Sequence, residues 1–127
     1  APVVVGVRDQ LHQVVLNLLL NALHATPPGA ALELRVSRDP ANPDGRALLR
    51  VRDRGRGISK EDLERVFDPF FTTKSPDGGS GLGLMIVHQI VADHGGTIEV
   101  SSELAQGSTF RVRLPLASGA DNDPEVA

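Results

Sequence analysis

The chain has 127 residues, 40% of them hydrophobic, which suits one folded domain with a single core and excludes wholesale disorder. Four Phe, no Trp, no Tyr and no Cys make that core aliphatic and exclude disulfides, thiol catalysis and cysteine zinc sites. The net charge of −3 lies in Asp121, Asp123 and Glu125 of the tail, and the balanced body has no footprint for nucleic acid or an anionic membrane.

"VVVGV" (residues 3–7) reads as a short strand, and Asp9 as the N-cap of a helix over Gln10 to Ala25. In that helix Leu11, Val14, Val15, Leu18, Leu19 and Ala22 follow the spacing of one buried face. "TPPGA" ends it, because proline cannot continue a helix. "LELRVSR" alternates, with Leu32, Leu34 and Val36 on one face, and after the loop "DPANPDG" the segment "ALLRVRD" forms its hairpin partner. "KEDLERVF" reads as a short helix, and "DPFFTTKSPDGGSG" as a loop long enough to act as a lid. A helix from Gly81 to His94 follows, with Gly95 as a left-handed cap, and "TIEVSSE" and "STFRVRLPL" close the chain as a hairpin. The order predicts an α+β fold: a two-layer sandwich with helices on one face of a mixed sheet. Residues 1–116 are the expected domain, and 117–127 an acidic, disordered tail or linker.

Four stretches hold more polar and glycine residues than packing requires. Asn17 and Asn21 share one helix face, where Asn is unfavourable. Two readings stand for them: caps for neighbouring loops, or amide oxygens aimed at a hard cation and its waters. Asp53 opens "DRGRG", either an ordinary strand exit or a carboxylate accepting an amino group while Gly55 and Gly57 admit a flat ligand. Phe67, Phe70 and Phe71 are either core or a hinge beside Thr72, Thr73 and Lys74. "GGSGLGL" runs into a helix start, where free N–H groups favour phosphate. Leu84 follows Gly83 where a Walker loop needs Lys and where a dinucleotide fingerprint needs a third glycine.

In this order "NLLLNA", "DRGRGI", "FDPFF" and "GSGLGL" resemble the N, G1, F and G2 boxes of the catalytic domain of sensor histidine kinases. That is a branch of the Bergerat-fold superfamily shared with gyrase and MutL. The resemblance extends from about Val3 to Leu116, and the compact lid is similar to that of nitrogen-regulation kinases. It implies Mg²⁺ and ATP as ligands. Asn21 would hold Mg²⁺ between the phosphates, with Asn17 beside the metal, where related ATPases carry a water-activating Glu. Asp53 would accept the adenine amino group, with Gly55 and Gly57 beneath the base. Phe70, Thr72, Thr73, Lys74, Gly79, Ser80, Gly81, Leu82, Gly83 and Leu84 would line the phosphate side, Thr73 and Lys74 meeting the γ-phosphate.

Two positions depart from the pattern: His24 stands where many members have a phosphate-reaching Lys, and Arg54 replaces an Asn. The kinases phosphorylate a histidine followed by an acidic residue on a helical dimerisation domain, and then a response regulator. His12, His24, His88 and His94 are followed by Gln, Ala, Gln and Gly, so the phosphoacceptor is expected on a partner domain. No run approaches the roughly 20 apolar residues of a membrane span, and "APVVVGVRD" lacks the features of a signal peptide, so no membrane contact and a cytoplasmic location are expected. The alternatives are an anti-sigma-type Ser/Thr kinase, an ATPase, and a nucleotide-binding regulatory module without catalysis.

Overall fold

The computed structural model describes residues 3–68 and 83–117. Helix α1 spans Arg8–Ala25, followed by β1 (Glu33–Arg38), β2 (Arg46–Asp53), α2 (Lys60–Leu63), α3 (Gly83–Asp93), β3 (Thr97–Glu103) and β4 (Gly107–Pro115). The strands form one sheet in the order β1-β2-β4-β3. The expected α+β sandwich is therefore present, but among the described residues its sheet is wholly antiparallel rather than mixed.

The absent strand explains the difference. "VVVGV" forms no strand; the amide of Ala117 donates to the Val3 carbonyl at 2.7 Å, and Val5 is exposed. Ala117, assigned by composition to the tail, is buried and belongs to the folded unit. The cap of α1 also differs. Val7 is the N-cap and offers no side-chain bond, while Asp9 lies in the first turn, where its charge favours the positive helix end without capping it. At the other end the Thr26 hydroxyl donates to the Ala22 carbonyl before Pro27 and Pro28 stop the helix.

Cross-strand register sorts the sheet's two faces. Leu49, Val112 and Ile98 form one inward row, and Val51, Phe110 and Val100 the next. Against them pack Val14, Leu18 and Ala22 of α1 and Val87, Ile90 and Val91 of α3. Complete burial of side chains such as Leu18 contributes about 1.5–3 kcal/mol each, and these rows are the main source of stability. Leu34 and Val36 pair with Val51 and Leu49 and so face inward too, yet they remain 44% and 59% exposed because β1 is an edge strand.

The outer face is polar. There Arg113 bridges strands and loop, its Nε donating to buried Asp39 at 3.0 Å and its Nη1 to Glu99 at 2.6 Å. These carboxylates, Glu99 first, push the guanidinium pKa up and keep the charge fixed.

Helix α2 is shorter than "KEDLERVF" suggests. Ser59 caps it by accepting the Asp62 amide, and reverse turns then carry the chain to buried Val66 and to Phe67. Helix α3 ends as expected: Gly95 has φ +74°, and the amides of Gly95 and Gly96 donate to Ala92 and Val91 in a Schellman motif. None of the described helices is long and apolar enough to cross a membrane.

Candidate functional site

One end of the sandwich collects the polar residues. The inward rows finish in Asp53, Ser108 and Ser102, direct neighbours across β2, β4 and β3. A polar residue at an inward strand position lacks the solvent that usually satisfies it, so each needs a partner.

Asp53 is 2% exposed, and its Oδ1 accepts the Gly55 amide at 2.9 Å, closing the turn that leaves β2. Ser102 Oγ accepts the Ile58 amide at 2.7 Å and donates to the Gly107 carbonyl at 2.9 Å. With its single proton used, the 2.8 Å contact to Ser108 makes Ser108 the donor. The "DRGRG" turn and the β3–β4 hairpin thus interlock, and the Ala105 amide adds a bond to the Arg56 carbonyl at 2.8 Å.

The glycines of this turn are needed first by the protein itself. A Cβ on Gly55 would stand 2.0 Å from the Ala25 carbonyl oxygen, at the end of α1. Gly57 has φ +74°, and its Cβ would stand 2.1 Å from the Glu103 carbonyl oxygen. The turn is wedged between helix end and hairpin tip, which holds the Asp53 carboxylate still.

Helix α1 supplies Asn17 and Asn21, both half-buried. The Asn17 side-chain amide donates to the Gly83 carbonyl at 3.3 Å, so the start of α3 is tied to the middle of α1. The Asn17 bond goes to Gly83, the first described residue of α3. His24 lies exposed in the last turn of α1. Phe67 packs against His88 of α3 with ring centroids 5.3 Å apart.

The structure bonds Asn17 to Gly83, which Leu84 follows in α3, and packs the Asp53 turn through Gly55 against Ala25 at the end of α1 and through Gly57 against Glu103; Asn21 lies one turn after Asn17 on α1. The candidate residues Phe70, Thr72, Thr73, Lys74, Gly79, Ser80, Gly81 and Leu82 lie outside the described residues. Sequence reasoning missed Ser102 and Ser108. Their signal was available: each is a small polar residue at an inward position of an otherwise alternating strand.

An α+β sandwich with an Asn pair on one helix, a buried Asp at a strand exit and a helix that begins its described length at Gly83 matches the class of fold the sequence motifs resemble. Residues 6–118 match the family described as histidine kinase-, DNA gyrase B- and HSP90-like ATPase, and the chain belongs to that family. It is 44% identical over 108 residues to the sensor histidine kinase ZraS of Escherichia coli, covering 85% of this chain and 22% of that protein. It is 43% identical over 122 residues to the two-component sensor PprA of Pseudomonas aeruginosa, covering 94% of this chain and 13% of that protein. The chain thus spans less than a quarter of these curated relatives. Among solved structures, the mycobacterial sensor histidine kinase MprB superposes with a TM-score of 0.79 at 34% identity, covering 91% of this chain and 76% of that one. Full-length ShkA in complex with AMPPNP superposes with a TM-score of 0.79 at 32% identity, covering 94% of this chain and 24% of that one.

Proposed function

We propose that the chain binds Mg–ATP and transfers the γ-phosphoryl group to a histidine on a helical dimerisation domain, from which a response regulator receives it. The observation that supports this reading is the Asn17 bond to Gly83, which ties α1 to the start of α3, beside a buried Asp53 turn that packs through Gly55 on the end of the same α1.

The residues fit the ligands. Asp53 commits one oxygen to Gly55 and keeps a second for the exocyclic amino group of adenine. Helix α3 is eleven residues long and presents its positive N-terminal end toward bound anions. Asn21 is the residue proposed to hold magnesium, a hard cation that takes oxygen donors, and Asn17, its amide nitrogen donated to Gly83, would lie one helical turn earlier beside the metal and its waters. Magnesium held there would neutralise charge on the phosphates.

The reaction is a displacement. An imidazole nitrogen of the partner histidine attacks the γ-phosphorus, the bond to the β–γ bridging oxygen breaks, and ADP leaves with that electron pair. This chain contributes positioning and fixed dipoles. Asn17, unlike Glu, has no basic lone pair to activate water, which spares ATP from hydrolysis. The loop residues Thr72, Thr73, Lys74, Gly79, Ser80 and Gly81 are proposed to enclose the phosphates. Residues 1–117 form the proposed catalytic domain, located in the cytoplasm beside the ATP pool, with the acidic remainder as a linker.

Incubation with γ-labelled ATP and the histidine-bearing helical domain of the same full-length protein tests this. Label on the helical domain, and none on the chain alone, is expected. Tight nucleotide binding without transfer would instead establish the regulatory module, for which His24 in place of Lys is the supporting feature.

A further inference from the structure

Helices α1 and α3 run antiparallel and are joined by a hydrogen bond at each end. At the site end the Asn17 amide donates to Gly83 O at 3.3 Å. At the far end the Val7 amide donates to His94 Nε2 at 3.0 Å. Val7 is the N-cap of α1 and has no side-chain cap of its own, so His94 ties down the start of that helix from another element.

The ring can do this in one state only. His94 Nδ1 stands 2.8 Å from the Ile90 carbonyl, which can only accept, so Nδ1 carries the proton. Nε2 is then bare and accepts from Val7. The other neutral tautomer satisfies neither bond, and a doubly protonated ring has no lone pair for the amide.

The surroundings hold this arrangement closely. A Cβ on Gly6 would stand 2.6 Å from His94 Cδ2 and 2.8 Å from Leu11 Cδ1, so the chain before α1 passes flush against the ring. The Schellman turn at Gly95 and Gly96 fixes the backbone from which the ring projects, and a Cβ on Gly96 would stand 2.3 Å from the Arg113 carbonyl.

Between the two pins the helix contact is apolar, through Val14, Leu18, Val87, Ile90 and Val91. Apolar packing seats the two helices on each other, and the hydrogen bonds, which are directional, sharpen their axial register. We propose that His94 is a positioning residue for phosphoryl transfer: through bare Nε2 it fixes the register of α1 on α3, and so the placement of Asn17 and Asn21 against the start of α3. The proposal rests on the function given above. One residue of slippage moves a helix by about 1.5 Å, and misplacement of about 1 Å is enough to cost a reaction a hundredfold.

The test uses the full 127-residue chain with two substitutions. In His94→Gln the side-chain carbonyl reaches the place of Nε2 and still accepts from Val7. In His94→Asn the shorter side chain reaches only the place of Nδ1. Nitrogen NMR of the unaltered chain at about pH 8, where imidazole is neutral, is expected to show the proton on Nδ1; a proton on Nε2 would overturn the proposal. The Asn17 side-chain amide resonances are expected to move in His94→Asn and to stay in His94→Gln. Unmoved resonances in folded His94→Asn would refute the coupling whether or not the chain is a kinase. The transfer rate at saturating ATP is expected to fall about tenfold in His94→Asn and to recover within about twofold in His94→Gln, on the scale of one lost hydrogen bond. Equal rates in the two variants would sink the positioning role. A chain that binds no nucleotide would instead sink the function and leave the tautomer and the Asn17 response standing.

Discussion

Asp53 of β2 and Ser108 of β4 stand directly opposite each other, as buried polar partners at the end of two strands whose other inward residues are apolar. The carboxylate holds the turn, and its proposed second task is toward the nucleotide. Asp53→Asn keeps an oxygen for the Gly55 amide but loses the charge, so it should fold normally and bind ATP about 10- to 100-fold more weakly. Asp53→Ala should in addition lose about 1–3 kcal/mol, because the Gly55 amide is left buried without a partner. Calorimetric titration and thermal melting separate the two effects; equal melting temperatures for both variants would contradict it.

Gly57→Ala should be severely destabilising, by roughly 3 kcal/mol or more, since φ is +74° and the added carbon would meet the Glu103 carbonyl oxygen. Gly29→Ala is the control. Its φ is +85°, but nothing stands within 4 Å of the added carbon, so only about 1 kcal/mol should be lost. Urea denaturation midpoints at unchanged slope measure both.

Ala105 has φ +66° in the β3–β4 turn, a conformation that disfavours a Cβ. Ala105→Gly should raise stability by about 0.5–1 kcal/mol, partly offset by the freedom glycine gains in the unfolded chain. A melting temperature that falls would show that the Cβ makes a contact outweighing the strain.

Asn17→Glu should convert the site toward hydrolysis. A carboxylate beside the phosphates can act as general base, a role worth about 10²–10⁴-fold, so phosphate release should rise at least tenfold. The same change removes the donor to Gly83 and should cost about 1 kcal/mol. Phosphate release at background level in the folded variant would argue against the placement of Asn17 beside the metal.

Glu33 accepts from Arg50 at 2.9 Å, and this bond, with the charge of Arg35, holds its carboxyl below the ordinary value of 4.5. Because the folded value is the lower one, the stabilisation is present above the unfolded value and is lost as pH falls through the folded one. A carboxyl-carbon NMR titration should place the Glu33 midpoint below 4.5, and Arg50→Gln should raise it. Glu33 is exposed, so the unfolding transition itself should hardly move.

Periodicity located α1, both hairpins and the Schellman end of α3, because each is written in local spacing or in glycine placement. It failed where the deciding contact is distant. Val3 to Val7 have strand composition but bond to Ala117 and His94 rather than to a strand, and Asp9 lost the cap position to Val7, whose partner stands just past the end of α3. The alternation of Leu34 and Val36 reported the correct face but could not report that no helix covers an edge strand. In the site, Asn17 and Asp53 were legible as residue types, whereas the reason for Gly55 and Gly57 lay in backbone segments far along the chain, Ala25 and Glu103.

The order of elements has one more consequence. Each half of the molecule is a helix followed by a hairpin, α1-β1-β2 and α3-β3-β4, and the halves meet through β2 against β4 and α1 against α3. Residues 54–82 are the covalent connection between them. Lengthening such a bridge costs only about 0.6 kcal/mol per doubling. A chain lengthened between the halves should therefore still fold, because the contacts that join them lie in the helices and strands themselves.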